Sequence, residues 1–438
     1  MTTAVSRGLG PTRAVAGNGA VLIAKESPAT PAVTVHATFH AGTIDDPPAQ
    51  DGLAHFVSRT IDRGTETRTA DQIAEELDSR GVSLSISVNR HAQSLICTCL
   101  VEDLEATLAL VADVAMRPTF PADEVETRRS EIITLIRQDE DNPANVANEG
   151  MLADLYGAEH PYGRRPRGSV ESVGAIDRAA LQRFHAARFR PAALSLVMVG
   201  DVEAARAIDA ARAALEPWRA PAPETVTLPG PVPPAARRVR VVPMLNKAQA
   251  DIAYGFVTIL RSDPAYYAYW LMNNILGQYA MGGRLGDSIR ERQGMAYYAF
   301  SSMDANIIPG PLTIRAGVSA ANVDRALASI DEELAKMAAE GPLDSEVRES
   351  KQYLIGSLPR TLETNLGIAN YLQTEEFFGL GLDYDVRVPG LLEAVTRDEI
   401  HEAARRTLTP STATVVIAGP YTGPPSLPGS FGGARQRR

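Results

Sequence analysis

The feature of this 438-residue sequence that most constrains its fold is an internal repeat. Residues 190–201 read RPAALSLVMVGD, and residues 409–420 read TPSTATVVIAGP. In both blocks a Pro precedes an apolar, strand-like run that ends in Gly, and each block follows a predicted helix. The Pro residues and the Gly residues of the two blocks are both 219 positions apart (410 − 191 and 419 − 200). A unit of about 220 residues is too long for a solenoid repeat, so it predicts two copies of one domain.

The distribution of prolines indicates where the two copies meet. Seven prolines lie from Pro217 to Pro234, a composition typical of a stiff, extended linker. We therefore predict an N-terminal domain over residues 1–216, a linker over 217–236 and a C-terminal domain over 237–438.

The hydrophobic pattern of each copy is that of an α+β domain. Residues 33–40 and 83–88 alternate between apolar and polar side chains, as half-buried strands do. The second of these runs is expected to form a hairpin with SLICTCL at residues 94–100. Helices are predicted over residues 50–61, 69–81, 103–115 and 123–138. Strands and helices form separate clusters without a βαβ rhythm, which favours a mostly antiparallel sheet with helices packed on one face in each domain.

Charge and cysteine content exclude several classes of protein. The net charge of −10 argues against a surface for nucleic acid or anionic membranes. Cys97 and Cys99 are too few for a disulfide framework or a Cys-rich zinc site, and we interpret them as small core residues. No apolar run reaches the length of a membrane helix, and the N-terminus lacks the apolar segment of a secretory signal. These features predict a cytoplasmic protein.

Six short motifs occur in order along the chain. They are AGTIDDP (41–47), GLAHF (52–56), RGTETRT (63–69), DNP (141–143), HPYGRRPRGS (160–169) and RLGDSIRERQGMAY (284–297). Together with the duplicated domain, they resemble the pitrilysin/insulinase family of zinc peptidases. The resemblance is greatest to the short-chain branch that includes the mitochondrial processing peptidase, and it covers nearly the whole chain.

The resemblance implies an architecture and a metal site. It implies two such domains per short chain, and two chains or half-molecules that close into a chamber. In the family, a helix with the inverted motif H-x-x-E-H binds zinc through its two histidines. The Glu between them acts as general base on the zinc-bound water, and a third ligand, also a Glu, comes from a later helix.

The sequence departs from the family at this zinc motif. The H-x-x-E-H position reads HFVSR over residues 55–59, so the first His is present as His55. Ser58 replaces the general base, and Arg59 replaces the second histidine. Arginine is always protonated and would place a positive charge beside the metal position. We therefore interpret His55, Ser58 and Arg59 as a vestigial zinc motif, with His55 as a remnant or a core histidine.

The third zinc ligand is also replaced. The position of this ligand in the family corresponds to Leu135 here. Glu131 lies one helical turn earlier and is kept as an alternative third ligand. A catalytic zinc needs three protein ligands and an open position. The sequence therefore predicts no metal, no cofactor and no catalytic residue in this chain.

A second set of family residues is kept in the C-terminal half. Arg290 and Tyr297 match the Arg/Tyr pair that, by resemblance, reaches the substrate held at a partner's zinc. An arginine can bind a substrate carbonyl, and a Tyr hydroxyl can stabilise a developing oxyanion. Without the resemblance, they would be interpreted as a surface Arg and a half-buried Tyr. Gly282 and Gly283 match the Gly-rich loop before the helix that carries the Arg, and we treat this loop as a candidate for contact with the substrate.

These features predict the non-zinc subunit of a heteromeric zinc peptidase. It would supply Arg290, Tyr297 and half of the chamber for peptide hydrolysis at the zinc of a homologous partner. The alternative is a structural or peptide-binding scaffold without a proteolytic role, and an independently active enzyme fits least. The sequence does not specify the substrate, the cleavage specificity, the stoichiometry, or whether the partner is a separate chain or a second copy.

Overall fold

The computed structural model describes residues 8–224, 228, 230–279 and 281–423, so residues 225–227 and 229 of the predicted linker lie outside the described residues. The strands are β1 Thr12–Val15, β2 Val21–Glu26, β3 Ala32–Phe39, β4 Ser83–Val88, β5 Gln93–Leu100, β6 Leu194–Gly200, β7 Arg238–Pro243, β8 Ala250–Val257, β9 Ala296–Met303, β10 Pro311–Val318 and β11 Thr414–Gly419. The helices are α1 Leu53–Thr60, α2 Ala70–Ser79, α3 Leu104–Met116, α4 Ala122–Glu140, α5 Pro143–Tyr156, α6 Val170–Ala175, α7 Arg178–Arg188, α8 Ala204–Leu215, α9 Tyr266–Asn273, α10 Gly283–Leu285, α11 Val323–Glu340, α12 Asp344–Thr361, α13 Asn365–Phe378, α14 Tyr384–Ala394 and α15 Arg397–Thr407.

The strands form two sheets in which equivalent strands follow the same order. The first sheet is β1-β2-β6-β3-β5-β4, and the second is β7-β11-β8-β10-β9. Neighbouring strands are antiparallel except for one parallel pair in each sheet, β2 with β6 and β7 with β11. The repeated blocks of sequence form β6 and β11, which occupy equivalent positions. The predicted α+β class and the duplication are therefore confirmed.

The local predictions in the first half are also confirmed. The hairpin of β4 and β5 pairs Ser83 with Thr98 and Val88 with Gln93. Helix α2 begins at a capping box, in which the Thr69 side chain accepts a hydrogen bond from the Gln72 N–H (3.2 Å).

The two compact units of the structure do not follow chain order. The first contains the described parts of residues 1–137, 165–227 and 357–387, and the second contains those of 138–164, 228–356 and 388–438. Each unit therefore includes a segment from the other half of the sequence. The first unit gains α13, and the second gains α5.

Helix α13 adds a second helical layer to the first sheet. One face of that sheet packs with α3 and α8 in the main core, as the sequence predicts. On the other face, alternate strand residues pack against α13. This smaller cluster consists of Ile23, Val197, Val199, Ile368, Ala369 and Leu372. The apolar side chains on both faces of the central strands explain why these strands need two layers.

A buried glutamine fixes α13 on the sheet. The Gln373 amide donates to the carbonyl oxygens of His36 (2.7 Å) and Ser195 (3.1 Å), and its oxygen accepts from the Ser195 hydroxyl (2.5 Å). These bonds connect α13 to β3 and β6. Because all three groups are buried, the polar contacts set the position of α13 on an otherwise apolar face.

The second sheet is also covered on both faces. Tyr254 and Gly255 are neighbours on β8, so they point to opposite faces. At Gly255 a side-chain Cβ would lie 2.1 Å from the Sδ atom of Met151, which places α5 against that face. The Tyr254 hydroxyl donates to Asp331 of α11 on the other face (3.0 Å). None of the described helices is long and apolar enough to cross a membrane.

Candidate functional site

The motif AGTIDDP positions the helix that carries His55. The buried carboxylate of Asp46 accepts hydrogen bonds from the Gly52 N–H (2.8 Å) and the Ala54 N–H (2.7 Å) at the start of α1. An acidic group at this position satisfies exposed N–H groups and interacts favourably with the helix dipole. Two of the six motifs are therefore parts of one local structure, a connection that sequence analysis did not make.

The two replaced residues of the zinc motif both have structural partners. The buried Ser58 hydroxyl donates to the carbonyl oxygen of His55 (2.6 Å). The hydroxyl proton of Ser58 is therefore engaged in a hydrogen bond within α1. The Arg59 guanidinium lies 3.5 Å from the Glu131 carboxylate on α4, and both side chains are partly exposed. The Arg128 guanidinium contacts the same carboxylate at 2.6 Å. Glu131, the possible shifted ligand, is thus shared between two arginines.

A pocket of about 520 Å³ lies where α1 faces α4. Its lining includes Arg59 from the second-ligand position and Leu135 from the third-ligand position, together with Glu131. The structure therefore brings the second-ligand and third-ligand positions of the family motif to one pocket, whereas His55 is not among its lining residues.

The side chains present in this pocket do not fit a zinc ion. Guanidinium groups have no lone pair to donate to a metal, and the Glu131 carboxylate is already neutralised by Arg59 and Arg128. A zinc site needs three donor side chains in addition to the open position. Within the part of the chain that the structure describes, no group of three or more His, Cys, Asp or Glu side chains is placed to hold a metal.

Arg290 lies in a π-helical turn, Gly286–Arg292, in the second unit. Such turns are rare and occur frequently at functional sites. The Arg290 side chain is 34% exposed, and its Nε lies 3.2 Å from the Glu291 carboxylate. It lines a pocket of about 610 Å³ together with Gly282, Tyr353 and residues of β9. The guanidinium is therefore accessible to a ligand.

Tyr297 lies near the start of β9, which forms one edge of the second sheet. Gly317 pairs with Tyr298, and Val318 pairs with Ala296, so Tyr297 is the extra residue of a β-bulge. The residue is 85% exposed. Tyr297 is not among the residues that line the Arg290 pocket.

A short turn connects these two predicted site residues. The Gly294 N–H donates to the carbonyl oxygen of Arg290 (3.0 Å), which ends the helical turn just before β9 begins. The seven-residue spacing from Arg290 to Tyr297 therefore includes the end of a helical turn, a tight turn and the start of β9. A single turn therefore separates Arg290 from the strand that carries Tyr297, and both residues are accessible to solvent.

Gly282 and Gly283 are required by the backbone. Their φ angles are +111° and +56°, which side-chain-bearing residues rarely adopt. A Cβ would lie 2.4 Å from the Ala299 oxygen at Gly282 and 2.3 Å from the Ile275 oxygen at Gly283. Gly282 lines the Arg290 pocket, and Gly283 lines a neighbouring pocket of about 350 Å³. The Gly pair thus lets the loop pack closely against β9 and against the preceding helical turn, Asn274–Gln278.

Replacing Gly283 with Ala should lower the free energy of unfolding by about 3 kcal/mol or more, because left-handed strain adds to a clash with fixed backbone. Gly294→Ala is a matched control, since its φ is +61° but nothing lies within 4 Å of the added Cβ. The control should cost roughly 1–2 kcal/mol from strain alone. Urea denaturation of both variants measures the difference, and equal losses would contradict the close packing at Gly283.

A polar pair beside Arg290 was not found from the sequence. The Tyr298 hydroxyl, in the lining of the Arg290 pocket, hydrogen-bonds the buried Asp251 carboxylate of β8. Burial, followed by this hydrogen bond and the charge of Asp251, raises the pKa of Tyr298 above its ordinary value. The pair crosses β10 at Gly317, where a side chain would collide with the Tyr298 ring. The charged residue within the apolar strand ADIAYGFV was the signal available in the sequence.

Two sequence models of one family match successive parts of the chain. The insulinase model of peptidase family M16 matches residues 21–164, and the model of the peptidase M16 inactive domain matches residues 175–354. Together they cover most of the chain. The chain belongs to the insulinase family, peptidase family M16. The predicted family resemblance is therefore confirmed.

Similar proteins extend over nearly the whole length of this M16 chain. An uncharacterized zinc protease of Mycobacterium leprae (strain TN) is 27% identical over 97% of this chain and 95% of its own. An uncharacterized zinc protease of Bacillus subtilis (strain 168), YmxG, is 23% identical over 92% of this chain and 96% of its own.

Solved structures show the same fold. The crystal structure of a peptidase M16 inactive domain from Pseudomonas fluorescens has a TM-score of 0.88 and 25% identity, and it covers 94% of this chain and 98% of its own. A protease from Helicobacter pylori has a TM-score of 0.83 at 16% identity, covers 93% of this chain and 99% of its own, and supports the fold alone.

Proposed function

We propose that this chain is the non-zinc subunit of a heteromeric M16 peptidase. A homologous chain with an intact H-x-x-E-H motif would bind zinc, and peptide hydrolysis would take place there. The observation that carries this proposal is the contrast between the two sites of the chain. The positions of the zinc motif hold Ser58 and Arg59, which are engaged in internal contacts, whereas Arg290 and Tyr297 are accessible.

Arg290 and Tyr297 can act on a substrate through hydrogen bonds. The Arg290 guanidinium offers a planar set of N–H donors for substrate carbonyl oxygens. The Tyr297 hydroxyl can donate to an oxygen that gains negative charge during hydrolysis. Because Tyr297 is 85% exposed, its hydroxyl can reach a molecule outside this chain without unpacking. The chemical role proposed for this chain is therefore binding and orientation of the peptide, together with half of the chamber wall.

The relatives support a peptidase context for the chain. The similar proteins named zinc proteases match it over more than nine-tenths of its length. The chain lacks the zinc motif but keeps the two-domain fold. This combination favours a role in a complex with a zinc-binding homologue. A scaffold that binds peptides without hydrolysis remains the alternative, and the assembly experiment distinguishes the two.

The partner to test is a homologue with an intact H-x-x-E-H motif, and a gene that neighbours the gene of this chain is the first candidate. Co-expression of the two chains should give a stable heteromer. We expect native mass spectrometry to show both chains, and metal analysis to show about one zinc per pair. Hydrolysis of a fluorogenic unfolded protein should require both chains, with this chain alone inactive. A heteromer that hydrolyses no faster than the homologue alone would support the scaffold. Zinc-dependent hydrolysis by this chain alone would overturn both.

A further inference from the structure

The pocket between α1 and α4 contains a guanidinium group with unused hydrogen-bond donors. Arg59, at the position of the family's second zinc ligand, lines this pocket, and its side chain is 42% exposed. Among the described residues, the guanidinium makes one hydrogen-bonding contact, from Nη2 to the Glu131 carboxylate at 3.5 Å. Because a guanidinium has five N–H donors and this contact is long, Arg59 keeps donors for a ligand in the pocket.

Glu131 does not depend on Arg59 for its charge partner. The Nη1 atom of Arg128 contacts both oxygens of the Glu131 carboxylate, at 2.6 and 2.8 Å. The other terminal nitrogen of Arg128 contacts Glu124 at 3.3 Å, so Arg128 is engaged by two carboxylates. Arg59 can therefore bind a ligand while Glu131 stays paired with Arg128.

The remaining lining residues fit a peptide better than an inorganic anion. The Ser130 hydroxyl donates to the Glu126 carbonyl oxygen (3.0 Å), and the Thr134 hydroxyl donates to the Ser130 carbonyl oxygen (2.9 Å). Both hydroxyl protons are thus used within α4, and the hydroxyl oxygens offer acceptors that suit peptide N–H groups. Leu135 adds an apolar surface to the same pocket. The volume of about 520 Å³ lies within the range of about 300–1,000 Å³ that is usual for ligand sites.

We propose that the pocket between α1 and α4 binds a carboxylate carried by a peptide, with Arg59 as the cationic contact. The lining side chains include two guanidinium groups and one carboxylate, so one further carboxylate makes the set neutral. An arginine can bind a carboxylate through two parallel N–H donors. The carboxylate can belong to the C-terminus of the peptide or to an Asp or Glu side chain. That the ligand is a peptide rests on the proposed function, whereas carboxylate binding is a property of this chain alone.

Calorimetric titration of the full chain, without a partner, tests this site with three acetylated pentapeptides of the same apolar sequence. One ends in a free carboxylate, one ends in an amide, and one ends in an amide but contains a single Glu. Low ionic strength is used because it screens exposed charges least. At least one carboxylate-bearing peptide should bind about tenfold more tightly than the neutral amide. Preference for the free acid assigns the site to peptide ends, and preference for the Glu peptide assigns it to acidic side chains.

Replacing Arg59 with Ala should weaken binding of the preferred peptide by about tenfold or more, because the charged donors are lost. Arg59→Lys keeps the charge without the planar set of donors and should lose part of this affinity. Arg63→Ala is the matched control. The Arg63 side chain is 36% exposed and contacts Asp62 at 3.2 Å, but Arg63 is not among the residues that line the pocket. The control removes the same charge and should change the affinity by less than about twofold.

Two results would show that the attraction is not local to Arg59 and would overturn the proposal. They are equal affinities for all three peptides, and equal losses in Arg59→Ala and Arg63→Ala. Displacement of the peptide by inorganic phosphate at a similar concentration would also overturn it, because the site would then select charge rather than a carboxylate. The titrations need neither zinc nor a partner chain. Failure of carboxylate binding is therefore distinguishable from failure of the heteromer to form or to hydrolyse peptides.

Discussion

Replacing Arg290 with Ala should lower kcat/KM of the assembled peptidase by about a hundredfold, the loss typical of one donor that acts on the transition state. Assembly and folding should be unaffected. The Arg290 side chain is 34% exposed, and its contact with Glu291 at 3.2 Å is a surface ion pair of small stability. A loss of activity in a fully assembled complex would therefore report on substrate contacts rather than on unfolding.

Arg292 offers the matched control for this experiment. It lies in the same π-helical turn, is 61% exposed and pairs with Asp287 at 2.8 Å. Arg292→Ala should leave kcat/KM unchanged, since its position is not among the lining residues of the Arg290 pocket. In the same series, Tyr297→Phe should reduce kcat about tenfold by removing only the hydroxyl. If Arg290→Ala retains full activity in a complex of correct mass, the shared-site proposal fails.

The duplicated sheet was predictable because its signal is local and occurs twice. The blocks that form β6 and β11 are apolar runs that begin after a Pro and end in Gly, and both Gly residues are required by packing. A Cβ at Gly200 would lie 2.1 Å from the Ala32 oxygen, and one at Gly419 would lie 2.5 Å from the Ala250 Cα. Such backbone contacts allow only Gly, so the pattern is visible in the sequence.

The exchange of α5 and α13 between the units was not predictable. An apolar helix face shows that a helix will be covered, but it does not identify which sheet will cover it. Gln373 contacts residues 178 and 337 positions away, and this separation leaves no local trace.

The sequence names the residues of the candidate site, but it does not specify their geometry. The spacing of Arg290 and Tyr297 supported their match to the family. The π-helical turn and the β-bulge could not be predicted, because they depend on contacts with residues distant in the sequence. The bulge at Tyr297 depends on a one-residue shift of β9 against Gly317 and Val318. Likewise, Glu131 was identified only as a possible ligand, because its contact with Arg59 spans 72 residues.

Restoring three residues should convert the pocket between α1 and α4 into a zinc site. In the triple variant Ser58→Glu, Arg59→His, Leu135→Glu, helix α1 would carry two imidazoles one turn apart, and α4 would supply a carboxylate. Arg59 and Leu135 already line the same pocket, so the new ligands would face each other without a change of fold. We expect zinc content to rise from near zero to about one equivalent per chain, and Tm to rise with zinc and fall with a chelator.

The double variant Ser58→Glu, Arg59→His is the control for this conversion, because it supplies the helix motif without the ligand from α4. It should bind zinc more weakly than the triple variant, by at least tenfold, since Glu131 is one turn away and paired with Arg128. Equal affinities would show that Glu131 moves into the third position once Arg59 is removed. A natural chain that retains about one zinc after dialysis would contradict the assignment of Arg59 and Glu131 as an ion pair and, with it, the division of labour between two subunits.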